Sequence, residues 1–178
     1  MLVRVLGGAA LAVGLMAASA MAQTADVLAP GRTGQLQCFE PNVTAKTCQS
    51  LGGYTVNADG VIDNAAQVLI MPSPVIVMHV TAPVVVRDNA ICGPLTQADI
   101  DRTRFTIDGA PASAEDAQQI RAAMTEQLAP MLNLESCMTL TPDGDALRAE
   151  TTIGGRPQPQ LTQRVIWVGA NDGWRVAP

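Results

Sequence analysis

Residues 67–87 read QVLIMPSPVIVMHVTAPVVVR, and this stretch decides the class of fold. Its β-branched residues are stiff at χ1 and pack well on a pleated surface, so they favour strands over helix. Prolines at 72, 74 and 83 each remove a ladder donor. The expected result is three short strands, 67–71, 75–80 and 84–87, with the prolines at strand ends or edges.

Outward from this stretch, Asn57-Ala58-Asp59-Gly60 signals a turn on the N-terminal side, and Gly34 to Tyr54 holds Cys38 and Cys48. On the C-terminal side, Thr96 and Asp99 have the spacing of a capping box that opens one short helical turn. A longer helix, 113–130, is expected from Ser113 as its cap, Asp116 three residues on, and an apolar stripe of Ala117, Ile120, Met124 and Leu128. Pro130 ends it.

Four strand-like runs follow: 134–140, 146–153, 161–168 and 174–177. Their turns are Pro142-Asp143-Gly144, Gly154-Gly155 and Asn171-Asp172-Gly173. In the second run Leu147, Ala149 and Ile153 share one face and Arg148, Glu150 and Thr152 the other. In the first, Cys137 lies opposite Leu134, Met138 and Leu140. These patterns predict an α+β, mainly antiparallel protein with one prominent helix. The organisation expected is a β-rich lobe, 34–95, stapled to an α+β lobe, 96–178, or else a single domain over 34–178.

The start of the chain reads as a secretory signal over 1–22: Arg4, an apolar run from Val5 to Ala18, then Ala20-Met21-Ala22. Cleavage is expected between Ala22 and Gln23, with Ala18-Ser19-Ala20 as a second cut. Residues 23–33 then read as a flexible leader. No later run is long and apolar enough to span a bilayer. The expected location is periplasmic or secreted.

In an oxidising compartment the even count of four cysteines, Cys38, Cys48, Cys92 and Cys137, favours disulfides over free thiols. Three pairings exist. Cys38 with Cys48 closes a short loop around Pro41-Asn42, which favours that pair and leaves Cys92 for Cys137. No C-x-x-C spacing supports zinc.

Charge narrows the partners. Removal of the signal takes away Arg4 alone, leaving ten basic residues against 16 acidic and a net charge of −6. A nucleic-acid partner needs a basic face to replace phosphate counterions, so none is expected. The partner class left open is an envelope protein.

No catalytic constellation emerges. His79 is the only histidine, and within its strand it alternates with Val75 and Val77, which fits a hydrogen-bonded structural residue. No G-x-S-x-G elbow surrounds a serine, Ser73 included. Met78 beside His79 suggests a copper pair, but adjacent strand residues face opposite ways. Asn57, Asp59 and Asp63 imitate part of a calcium loop, yet Thr55 and Ala66 occupy its two end ligand positions. Asp99 with Asp101, and Asp143 with Asp145, are carboxylates two apart with nothing to mark either as an acid and base. Gly52-Gly53 and Gly154-Gly155 match no nucleotide fingerprint. No cofactor and no metal is expected.

The helix followed by four strands resembles cystatin-like domains over roughly 103–178, which implies a helix-plus-sheet lobe. The inhibitory Q-x-V-x-G of cystatins is not reproduced, because Gln163-Arg164-Val165-Ile166-Trp167 lacks the glycine. The run Cys38-Phe39-Glu40-Pro41, with Thr47-Cys48, Tyr54, Ile91-Cys92-Gly93 and Trp174-Arg175-Val176-Ala177-Pro178, resembles small exported proteobacterial proteins to which no activity is attached. The functional expectation is a non-catalytic periplasmic binding or envelope-associated protein. Two alternatives are a periplasmic hydrolase and an inhibitor or partner-binding module.

Overall fold

The computed structural model describes residues 26–178, so the signal segment and the Ala22–Gln23 cut lie outside the described residues. The β-branched stretch forms two long strands, β4 (Ile62–Pro72) and β5 (Val75–Arg87). Before them come β1 (Gln35–Phe39), β2 (Thr47–Cys48) and β3 (Ser50–Val56). After them come β6 (Ala90–Pro94), β7 (Arg104–Ile107), β8 (Ala110–Pro111), β9 (Glu135–Asp143), β10 (Ala146–Ile153), β11 (Arg156–Pro157), β12 (Gln163–Gly169) and β13 (Arg175–Val176). The helices are α1 (Ala29–Arg32), α2 (Gln97–Arg102) and α3 (Ala114–Leu128).

Eight strands close on themselves in the order β4-β3-β1-β12-β10-β9-β6-β5, with β5 returning to β4. Every ladder in this ring is antiparallel. Closure removes the free edges that an open sheet of this size would expose.

Pro83 does not break its strand, contrary to the expectation of separate runs 75–80 and 84–87. β5 is continuous because its outer edge changes partner there: the ladder to β7 ends at His79 and the ladder to β6 begins at Val85. The missing donor of Pro83 falls in the gap between them, and its carbonyl lies against Gly93 of β6. There a Cβ on Gly93 would sit 2.9 Å from that oxygen. The gap is spanned by α2, whose cap is the expected reciprocal pair of Thr96 and Asp99.

The helix expected at 113–130 is α3, capped by Ser113, whose hydroxyl accepts from the Asp116 backbone N–H at 3.1 Å. Its Ala117, Ile120 and Met124 pack on Ile76, Met78, Phe105 and Ile107 of β5 and β7. The cystatin-like lobe is not seen as a separate unit. Strands β9 and β12 pair with β6 and β1, so the helix-plus-four-strands layout is a piece of the barrel wall.

Residues 26–33 correct the reading of a flexible leader at 23–33. Asp26 accepts from the Leu28 N–H at 3.0 Å and from Arg32 Nε at 2.7 Å, which fixes the turn. Leu28 is 1% exposed and packs with Ile62, Ile91, Tyr54 and Trp167. One buried leucine turns the leader into a plug at that end of the barrel.

Two disulfides join Cys38 to Cys48 and Cys92 to Cys137. Cys92 and Cys137 are direct cross-strand partners on β6 and β9, so this bridge ties neighbouring strands of one wall. The staple between two packed lobes that the sequence suggested is therefore not what it does. Cys38 and Cys48 belong to a cluster on the outer face with Leu51 and Val168, covered by Trp174 and Val176 of the C-terminal segment. The parallel pairing of β13 with β2 holds that cover in place.

Candidate barrel-interior site

Strand register decides which side chains face inward. Gln37 is opposite both Gly52 and Trp167, Gly52 is opposite Ala66, and Ala66 is opposite Val80. Partners across a ladder share a face, so these positions share the barrel interior. Continuing around the ring adds Val165, Leu147, Ala149, Leu140, Met138 and Ile91. Among the described residues no inward position of the eight strands carries a charge. The charged side chains of the same strands, Asp63, Arg87, Glu135, Asp143, Arg148, Glu150 and Arg164, fall on the outward positions.

Eight strands give an interior just wide enough to be filled by side chains or to hold one small ligand. Here small residues at Gly52 and Ala66 leave room, and a cavity of about 420 Å³ remains. Tyr54, Ile91 and Met138 line its deep side, near the plug, while Gln49 is exposed at the other. The plug therefore closes one end, and access is from the end where Phe39, Gln49 and Leu69 stand.

Polarity in this chamber is confined to uncharged groups: Gln37, Gln49, Ser50, Tyr54, Asn64 and Gln163. The Tyr54 hydroxyl donates to Gln37 Oε1 at 2.6 Å, and Asn64 Nδ2 donates to the Gly53 carbonyl at 3.1 Å. Burial pushes the Tyr54 phenol far above its ordinary value, so it stays protonated and donates throughout the physiological range. Gln37 is 0% exposed, and its Nε2 has no hydrogen-bond partner among the described residues. A buried unpartnered donor costs about 1–3 kcal/mol, which an acceptor brought into the chamber would offset. Exchanging the amide oxygen and nitrogen of Gln37 only moves the problem, because one end of the amide then lacks a partner in either assignment.

The residues singled out from sequence lie elsewhere. His79 faces outward, half-buried, with Nε2 3.5 Å from Thr106 Oγ1, while Met78 faces the α3 cluster; the two sit on opposite faces of β5. Asp99 is the α2 capping residue and binds Arg102 at 2.6 Å, and Asp101 accepts from Gln97. Asp145 pairs with Arg164, and Asp59 and Gly60 shape the turn between β3 and β4. Ser73 lies in the turn from β4 to β5, with a cis bond to Pro74. Among the described residues no group of three His, Cys, Asp or Glu side chains could hold a metal ion.

Sequence reading missed Gln37, Tyr54 and Asn64. The signal was present as the two-residue period of Gln35, Gln37 and Phe39, but the segment was taken as a cysteine loop rather than a strand. No protein-family model, curated protein or solved structure matches the chain.

Proposed function

We propose that this is an exported binding protein whose barrel takes one uncharged small molecule, part apolar and part hydrogen-bonding, through the end opposite the plug. The carrying observation is the buried Gln37–Tyr54 pair, with an unpartnered amide nitrogen, in a chamber whose inward positions are all uncharged. An ion entering it would lose its hydration with no opposite charge to replace it, whereas a neutral carbonyl or ether would meet a waiting donor. The cavity lies within the volume range of small-molecule sites. Two disulfides and the signal-like start of the chain support a periplasmic or secreted setting.

The interior supplies a reporter. Trp167 faces inward, 6.3 Å from Tyr54 between ring centres, while Trp174 lies in the outer cluster. In a Trp174→Phe background, prodan, a neutral naphthyl ketone, should quench Trp167 saturably and shift its own emission to the blue. The anionic dye 1-anilinonaphthalene-8-sulfonate should leave Trp167 unaffected. Equal quenching by both dyes, or by neither, would overturn the proposal.

A further inference from the structure

A second depression, of about 560 Å³, lies on the outer surface of the wall formed by β3, β4 and β5. Its floor is low because Gly53 and Ala65 carry almost no side chain, and Thr81 continues that row across β5. The next row runs Gln67, His79, Arg104 across β4, β5 and β7, each directly opposite the next. Arg102, at the end of α2, also lines the depression.

The charges here are unbalanced. In a chain of net charge −5, no Asp or Glu among the described residues lines this depression. The carboxylates nearest in sequence are engaged: Asp99 is shared between Thr96 and Arg102, Asp101 accepts from Gln97, and Asp63 accepts from Asn57. Five other arginines, Arg32, Arg87, Arg102, Arg148 and Arg164, are in ion pairs. Arg104 makes neither an ion pair nor a side-chain hydrogen bond among the described residues, although a second guanidinium and the lone imidazole of the chain border the same hollow. The Arg102 side chain is 64% exposed, so it has donors to spare beyond its contact with Asp99.

We infer that this outer groove is an oxyanion site, in which Arg104 and Arg102 bind a carboxylate or phosphate of a small molecule and His79 contributes a ring N–H. The planar fork of arginine suits both oxyanions, and the uncharged part of the molecule would lie over Ala65 and Thr81, beside the Leu36 side chain that covers Gly53. Arg104 and His79 occupy outward positions and Arg102 lies outside the ring, so the groups that hold the oxyanion are separate from the chamber, although Tyr54, Ala66 and Val80 border both hollows.

The test is an NMR titration of the whole protein at constant ionic strength, first with inorganic phosphate and then with acetate, each replacing sodium chloride. The amide signals of His79, Thr81 and Arg104 should move saturably with at least one of the two, and the stronger response tells which oxyanion is preferred. Arg104→Ala should weaken that binding about tenfold or more, since it removes a charge-assisted contact. Arg156→Ala, which removes another exposed arginine without an ion pair, should leave it unchanged. Prodan quenching of Trp167 should survive Arg104→Ala, which separates failure of this site from failure of the chamber. Shifts that do not saturate, or an affinity unchanged in Arg104→Ala, would overturn the inference.

Discussion

Leu28→Ala tests whether the segment before β1 is part of the fold. Leu28 is 1% exposed and touches Ile62 and Ile91, each less than a tenth exposed, with Tyr54 and Trp167 beside them. Truncation removes three carbons from this contact. At about 0.8 kcal/mol for each buried methylene the transfer loss is about 2.4 kcal/mol. The cavity left between Tyr54 and Trp167 raises the total to about 3 kcal/mol. For a chain of this size each kcal/mol corresponds to roughly 2–4 °C, so the Tm should fall by roughly 6–12 °C. Scanning calorimetry and urea unfolding both measure this. Val43→Ala serves as control, since Val43 is 61% exposed and its truncation should cost less than about 0.5 kcal/mol. A Leu28→Ala protein that unfolds within about 0.5 kcal/mol of the parent would show that the segment is a loose leader and that the barrel end is open.

Other expectations rest on different parts of the structure. Arg32 first, and then the Leu28 N–H, hold the Asp26 carboxyl below the ordinary aspartate value. Its ionised form therefore favours the folded state, and that contribution is full above the ordinary value and lost as pH falls through the depressed one. Asp26→Asn should lower the Tm at pH 7, and the difference from the parent should shrink below about pH 4, as followed by circular dichroism melts. Gly93→Ala forces a methyl against the Pro83 carbonyl, while Gly53→Ala meets only the end of the flexible Leu36 side chain. The first should cost about 1–3 kcal/mol in urea unfolding and the second clearly less. Replacing Cys92 and Cys137 together opens a link of 45 residues and should cost about 4 kcal/mol, against about 3 for Cys38 and Cys48 with a separation of ten.

Local chemistry made several elements legible in advance. The caps at Ser113 and Thr96 fix helix starts through hydrogen bonds three residues long, and such bonds can be read from spacing alone. The alternation of Leu147, Ala149 and Ile153 against Arg148, Glu150 and Thr152 separated the two faces of β10 correctly, because a strand has only two. Closure was not legible. It depends on β1 pairing with β12, more than a hundred residues away, and nothing local to Gln35–Phe39 announces that partner. The outer face also misleads, since Cys38, Leu51 and Val168 are buried there under the C-terminal segment and imitate a core-facing row. Pro83 reads as a stop in any isolated strand and becomes harmless only where a strand changes partners.

The candidate site was hidden for a related reason. Period two places Gln35 and Gln37 on the face of Phe39, but polar residues on one face of a strand ordinarily mean solvent. Only the ring of eight strands turns that face inward and makes the uncharged amide a buried donor.

The most direct test of the binding chamber is the double substitution Gln37→Leu with Tyr54→Phe, with stability and prodan affinity measured on the same sample. Replacing both hydrogen-bonding partners by apolar groups of similar shape removes the unpartnered amide, so stability should stay within about 1 kcal/mol of the parent or rise. Prodan affinity should fall about fivefold or more, the equivalent of one lost hydrogen bond. An unchanged affinity in the folded double variant would contradict the account and leave the Gln37–Tyr54 pair as a feature of packing alone.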